Sequence, residues 1–252
     1  MKQPLIVANW KCNPTTLAEA QKLLKTIEKG VKNIKKVEVV ICPPFVYLSG
    51  FRFRASGFRL GAQDCFWEEK GAFTGEISAK MLKGLGCKYV IIGHSERKGH
   101  LKETNEMIAK KMKAAIAAGL KPIFCIGETQ KEKREGQGLR TLNSQISKGL
   151  KDIKEKEARN IIIAYEPVWA IGTGKPCEVD TTLTKSLIIR QVLKKRYSLS
   201  LSRKTRILYG GSVTSQNALK YIRGAKMNGL LVGGASLKAQ EFSKIVKEVS
   251  KS

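Results

Sequence analysis

The chain has 252 residues, an apolar content of 42% and a formal net charge of +26, from 47 lysines and arginines against 21 acids. This composition supports a sizeable core, and no apolar run reaches the roughly 18 residues needed to cross a bilayer. Six cysteines without a Cys-x-x-Cys pair and only two histidines leave little for a zinc site, and fit reduced core thiols.

In chain order, strand-like apolar runs cover residues 5–10, 37–42, 59–63, 88–93, 121–126, 160–165, 205–209 and 229–232. Helical periodicity appears between them, at 17–28, 103–118, 139–154, 182–196 and 239–249. Near-continuous apolar strands alternating with helices imply a parallel sheet covered on its faces. Eight such units in this length predict an α/β fold, a (β/α)8 barrel, with an open doubly wound sheet as the rival. No low-complexity linker divides the chain, so residues 1–252 read as one domain. The second unit is the weakest. Its 46–58 stretch has Gly50, Gly57 and a period-2 Phe-Arg-Phe-Arg core, which predicts a short or irregular helix. The 64–78 connection exceeds an ordinary βα loop, a length that often carries function.

The start, Met1-Lys2-Gln3-Pro4-Leu5, shows no signal-peptide pattern, and Ser250-Lys251-Ser252 is no recognised targeting tripeptide; the expectation is a cytoplasmic protein. The basic residues are spread along the chain, as in Lys110-Lys111-Met112-Lys113 and Lys194-Lys195-Arg196. Such clusters usually form solvated helix faces. They also allow attraction of anionic substrates or non-specific association with nucleic acid, although no sequence-specific nucleic-acid module is recognisable.

Candidate chemistry falls at the strand C-termini. Asn9 and Lys11 follow the first run, His94, Ser95 and Glu96 the fourth, and Glu166 the sixth. Gly210-Gly211-Ser212 and Gly233-Gly234 follow the last two. A barrel brings all of these to one rim, and glycine turns after its last two strands suit a phosphate. Glu166 ends an apolar run, Pro167 restricts it to extended backbone, and Gly172 and Gly174 free the far end of a lid-like loop. Taken singly, each feature has an ordinary reading: a strand-end histidine, an exposed lysine, a surface turn. Ser95 is a good helix N-cap, which would set the His94 ring near a positive helix end that disfavours an imidazolium.

Seven segments together resemble the triosephosphate isomerase family, in its order: Asn9-Trp10-Lys11, Ala72-Phe73-Thr74-Gly75-Glu76, Gly93-His94-Ser95-Glu96-Arg97, Cys125-Ile126-Gly127-Glu128, Tyr165 through Lys175, Tyr209-Gly210-Gly211-Ser212-Val213 and Leu231 through Leu237. The resemblance implies interconversion of dihydroxyacetone phosphate and glyceraldehyde 3-phosphate, in glycolysis and gluconeogenesis, without cofactor or metal. It implies Glu166 as the base and His94 as a neutral electrophile, an assignment known for that family. Lys11 would stabilise negative charge, Asn9 would hydrogen-bond the substrate oxygen, and Glu96 would hold Lys11. Backbone N–H groups of Gly172, Ser212, Gly233 and Gly234 would bind the phosphate under a lid running from Pro167 to Lys175. The long loop would reach into a partner subunit of a homodimer through Thr74, with Glu76 pairing with Arg97 across the interface. Departures from the family pattern are Pro14, where glycine is more usual, Lys98, where a second arginine is common, and the irregular second helix. A competing reading is a basic barrel that binds nucleic acid or an anionic surface, its enzyme activity incidental or lost.

Overall fold

The computed structural model describes residues 3–51 and 57–252. Eight parallel strands close into a barrel in chain order: β1 (Leu5–Asn9), β2 (Glu38–Cys42), β3 (Arg59–Ala62), β4 (Tyr89–Ile92), β5 (Lys121–Ile126), β6 (Ile162–Tyr165), β7 (Arg206–Tyr209) and β8 (Gly229–Val232). β8 returns to β1 in the register Leu5↔Gly229 through Ala8↔Val232. Closure there needs glycine, because a Cβ on Gly229 would stand 1.9 Å from the Leu5 carbonyl oxygen.

Alternation along each strand makes two cores. Leu5, Val7, Val40, Ile91, Ile123, Ala164 and Leu208 fill the barrel, while Ile6, Ala8, Ile41, Ile92, Phe124 and Ile163 pack outward under the helices. Strands buried on both faces account for the near-continuous apolar runs.

The outer layer consists of α1 (Leu17–Val31), α2 (Ala79–Gly84), α3 (Ser95–His100), α4 (Asn105–Ala117), α5 (Gln130–Arg134), α6 (Gly138–Gly149), α7 (Glu155–Ala158), α8 (Val179–Arg196), α9 (Leu199–Lys204), α10 (Ala218–Arg223) and α11 (Ala239–Val249). α1 starts at Thr16, whose hydroxyl accepts the Glu19 N–H at 3.3 Å, a cap worth about 1 kcal/mol. It buries Ala20, Leu24, Ile27 and Val31, the spacing of one helical face. Two helix boundaries differ from expectation. The 139–154 pattern ends at Gly149, with the single turn of α7 following, and α8 begins at Val179, where Asp180 suits a first turn.

Among the described residues, the second unit carries a 3₁₀ helix, Phe45–Gly50, and no α-helix, in keeping with the short or irregular helix expected there. The expected Phe-Arg-Phe-Arg stretch lies outside the described residues from 52 to 56. The Tyr47 hydroxyl donates to the Pro14 carbonyl at 2.9 Å and Phe51 packs edge-on to Trp10, so the unit is tied to the loop after β1.

The long 64–78 connection has a closed stem: Phe66 N–H donates to Ile77 O at 2.8 Å. Its tip, residues 68–76, is exposed, Thr74 and Glu76 included. At the stem, Asp64 accepts from Lys111 at 2.6 Å and from Arg97 at 2.8 Å, and Glu103 also pairs with both cations. Two carboxylates thus share one lysine and one arginine in the interior. Burial raises the Asp64 pKa to about 6, with the Glu103 charge adding to it, against the pull of Lys111 and Arg97. Its Oδ1 has no hydrogen-bond partner, which fits a carboxyl that holds its proton easily.

Candidate active site

Every strand ends its apolar run at the same rim, and the predicted residues meet there. Asn9, Lys11, His94 and Glu166 line one cavity of ≈ 610 Å³ together with Gly172, Ser212, Gly233 and Gly234. Glu96 joins through its contacts: its carboxylate forms an ion pair with Lys11 and lies 3.6 Å from His94 Nδ1. Thr74, Glu76 and Arg97 stand apart from this cavity.

Lys11 has φ 55°, a left-handed backbone that costs a non-glycine residue about 1–2 kcal/mol. The surroundings hold it there. Gln63 Nε2 donates to Lys11 O at 2.8 Å and to Cys42 O at 2.9 Å, and Asn9 Oδ1 accepts the Lys11 N–H at 3.1 Å. This bent backbone sends the side chain across the rim to Gly233, where a Cβ would lie 3.7 Å from Nζ. The ammonium is therefore set between the Glu96 carboxylate and the last glycine turn.

His94, not Ser95, caps α3. Its Nδ1 accepts the Glu96 N–H at 3.2 Å, while the Ser95 N–H is already donated to Glu166 Oε2 at 3.1 Å. The capping bond requires a bare Nδ1, so the proton of a neutral ring sits on Nε2, which lies 3.1 Å from Glu166 Oε1. Burial disfavours an imidazolium, but Glu166 and Glu96 outweigh it and raise the His94 pKa in this arrangement. The expected depression by the helix end is thus overridden by two acids. Protonation would still cost the cap on the Glu96 N–H.

Glu166 is 2% exposed. Burial pushes its carboxyl up, yet His94, the Ser95 N–H and Lys98 together hold it below the ordinary carboxylate range. The Lys98 amine reaches over to donate to Cys125 O at 2.9 Å. A charged, desolvated carboxylate beside an imidazole whose Nε2 faces it, with an ammonium held nearby, is a set for moving a proton next to a carbonyl.

The loop after Glu166 is latched at both ends. Val168–Ala170 forms a 3₁₀ turn, and Gly172 and Gly174 take φ 70° and 71°. Ser212 Oγ donates to Ala170 O at 2.8 Å, and the Tyr209 hydroxyl accepts the Cys177 N–H at 3.0 Å.

Comparisons with known proteins identify the family. A family model described as Triosephosphate isomerase matches residues 4–249. A triosephosphate isomerase of Dictyoglomus thermophilum is 45% identical over 249 residues, covering 98% of this chain and 100% of its own length. Those of Geotalea uraniireducens, 46% identical over 249 residues with 98% and 99% covered, and of Aquifex aeolicus, 44% identical over 244 residues with 96% and 98% covered, are similar. The chain belongs to the triosephosphate isomerase family. Its closed eight-stranded barrel is the fold that the family resemblance implied.

Sequence reasoning assigned no role to Glu128. Its carboxylate, 1% exposed, accepts from the Tyr165 hydroxyl at 2.9 Å and from Trp169 Nε1 at 3.5 Å, and lies 3.6 Å from Lys185 Nζ. Glu128 O also accepts the Val168 N–H at 3.1 Å, so this one residue anchors the first turn of the lid. The signal was present: an acid just past the apolar run of β5, placed like Glu166 past β6. Lys133 sits 3.3 Å over the Trp169 ring and closes the same latch from α5.

Proposed function

We propose that the protein interconverts dihydroxyacetone phosphate and glyceraldehyde 3-phosphate by proton transfer through an enediolate. The observation that carries this reading is the Glu166–His94 pair: a buried carboxylate and an imidazole with its proton on Nε2, 3.1 Å apart at the mouth of one cavity. Glu166 leaves its bonds to Ser95 N–H and His94 Nε2 and takes the proton on C1 or C2. His94 Nε2–H donates to the carbonyl oxygen, where charge develops, and recovers a proton from the neighbouring hydroxyl as the double bond moves, while the Glu166 carboxyl delivers the proton it took to the adjacent carbon, so both groups end as they began. Lys11, oriented by Glu96, and Asn9, whose amide NH₂ is left for substrate by the bond at Oδ1, stabilise the same oxygens. The phosphate takes the backbone N–H groups of Gly172, Ser212, Gly233 and Gly234. Closure of the 167–175 lid excludes water and protects the enediolate from losing phosphate.

The working unit of this reading is a homodimer in the cytoplasm. Its support is the exposed 68–76 tip and a concentration of uncovered apolar groups. Among the described residues, Val46, Phe73, Met81, Leu85 and Leu101 are exposed within residues 46–101, against Leu17, Leu139, Leu187 and Leu199 in the rest of the chain. No helix of the described residues is long and apolar enough to cross a membrane. The alternative, a basic barrel that binds nucleic acid, needs none of the polar constellation at the rim.

The test is a coupled assay of glyceraldehyde 3-phosphate conversion with Glu166→Gln as control. Rapid turnover in the wild type, lower by about 10²- to 10⁴-fold in the folded variant, is expected for a general base. Equal turnover in the two would sink the assignment.

A further inference from the structure

The opposite end of the barrel carries a second charge cluster. Val40, Ile123 and Leu208 point into the barrel, and two residues before them stand Glu38, Lys121 and Arg206 on the same strand faces. Arg59 stands two before Gly61, where a Cβ would meet the interior atoms of Val40 and Cys42. The N-terminal mouth of the barrel thus sets three cations against one carboxylate.

That carboxylate is already committed. Glu38 Oε1 accepts the Tyr89 hydroxyl, and Oε2 accepts from Arg206 Nη1 at 2.7 Å. Against the effect of burial, these two donors hold the Glu38 carboxyl below its usual value, so it stays ionised and occupied. Lys121 lies 5.3 Å above the Tyr89 ring. Beside them a cavity of ≈ 140 Å³ is lined by Tyr89, Lys121, Arg159, Asn160, Lys204 and Arg206, with no acid in its wall. Four cations from three neighbouring strands and loops converge there; Arg206 is paired with Glu38, and the repulsion between Lys121 and Arg159 across the cavity is relieved by an added counter-charge.

We propose that this mouth is a binding site for the phosphate groups of a small polyanion of the pyrophosphate class, separate from the substrate site. Arg159 supplies a planar fork that matches phosphate oxygens, Arg206 the donors that its bond to Glu38 does not use, Lys121 a point charge, and the Asn160 amide a neutral donor. The cavity is well below the roughly 300–1,000 Å³ of sites that enclose a whole metabolite, so it takes an anionic group while the rest of a ligand stays in solvent. A nucleic-acid strand would need an extended groove with open aromatic platforms, and the one ring here is covered by Lys121.

The test is calorimetric titration of the full chain with inorganic pyrophosphate, alongside pyrophosphate inhibition of isomerisation, which reads the substrate site separately. The wild type is expected to show a binding event beyond the one that tracks inhibition. Lys121→Ala/Arg159→Ala should weaken that event at least tenfold and leave kcat/KM and the inhibition constant unchanged. Asn160→Asp, which places a carboxylate in the cavity wall without removing any cation, should weaken it as well. A single event that follows inhibition, or an extra event that is the same in both variants, would overturn the proposal. So would binding of a single-stranded oligonucleotide at this mouth without binding of pyrophosphate.

Discussion

At the scale of single residues, the site depends on how buried charges are shared. Glu166 and His94 face each other, one held down and the other raised, and each is the other's strongest charged partner. In the proposed mechanism Glu166 turns to substrate, so His94 loses the larger of the two acids that favour its protonation, and the bond from the Glu96 N–H to Nδ1 favours the neutral ring that donates from Nε2. Glu166→Gln removes that group permanently while burial of the ring persists. The His94 pKa is therefore expected to fall below its wild-type value in Glu166→Gln. Nitrogen-resolved NMR titration of the two histidines measures it, and an identical His94 curve in both proteins would remove the basis of the argument. Asp64 gives a second case. Its folded pKa of about 6 lies above the ordinary value of 3.8, so its contribution to stability is complete below 3.8 and is lost as pH rises through 6. Asp64→Asn should therefore be the more stable protein at pH 8, by roughly 3 kcal/mol at most. Its advantage in Tm should shrink as pH falls from 7 to 4. A pH-independent difference would mean that Lys111 and Arg97 keep Asp64 ionised throughout.

At the scale of elements, the lid is held by its neighbours more than by its own sequence. Tyr209, at the end of β7, accepts the Cys177 N–H, and Tyr221 in α10 donates to Cys177 O at 2.6 Å, so the C-terminal end of the lid rests on two stacked rings. A Cβ on Gly211 would stand 2.2 Å from the Tyr209 hydroxyl. Gly211→Ala is expected to push that hydroxyl off Cys177, keep the fold, and lower kcat/KM by about tenfold or more through a lid that closes less often. Stopped-flow closure followed by Trp169 fluorescence, beside steady-state rates, checks this; unchanged closure and rates would show that the Tyr209 tie is not part of the lid. This tie also shows where sequence reading stops. The strands, the lid and the placement of Asn9, Lys11, His94 and Glu166 were legible because each follows an apolar run, and a parallel barrel puts all such ends on one rim. The cap of α3 was misread because residue preference favours Ser95, while in the fold the helix starts at Ser95 and the His94 ring, one position earlier, takes the Glu96 N–H. Glu128, Tyr209 and the Asp64 cluster owe their roles to partners brought close only by closure of the barrel. The 3₁₀ turn at 45–50 was half legible: its glycines announced a poor helix but not the anchor that Tyr47 makes to Pro14.

At the scale of the whole molecule, the +26 charge is the property that neither the barrel nor the catalytic set requires. Few of its cations are locked in buried pairs. The interior cluster at Asp64 is balanced, with two acids against Lys111 and Arg97, so the excess lies in the outer shell. An outer shell of positive charge around a cavity that takes a phosphate dianion raises the encounter rate, and it does so over the Debye length, which shrinks from about 30 Å at 0.01 M salt to about 8 Å at 0.15 M. Attraction of this kind acts on the approach of substrate and not on the steps that follow. Added sodium chloride is therefore expected to lower kcat/KM steeply while leaving kcat nearly constant, with the loss appearing as a rise in KM. Anions would also compete directly for the phosphate turns proposed at Gly233 and Gly234, and the two effects separate by their dependence on the salt. Steering follows ionic strength alone, whereas competition follows the identity of the anion. Chloride and sulfate series matched in ionic strength should share the initial slope of kcat/KM if the charge steers substrate, with sulfate falling further only at higher concentration. A flat chloride series would mean that the encounter is not limited by the field, and that the basic surface serves binding of another kind, of which the N-terminal mouth of the barrel is the defined example.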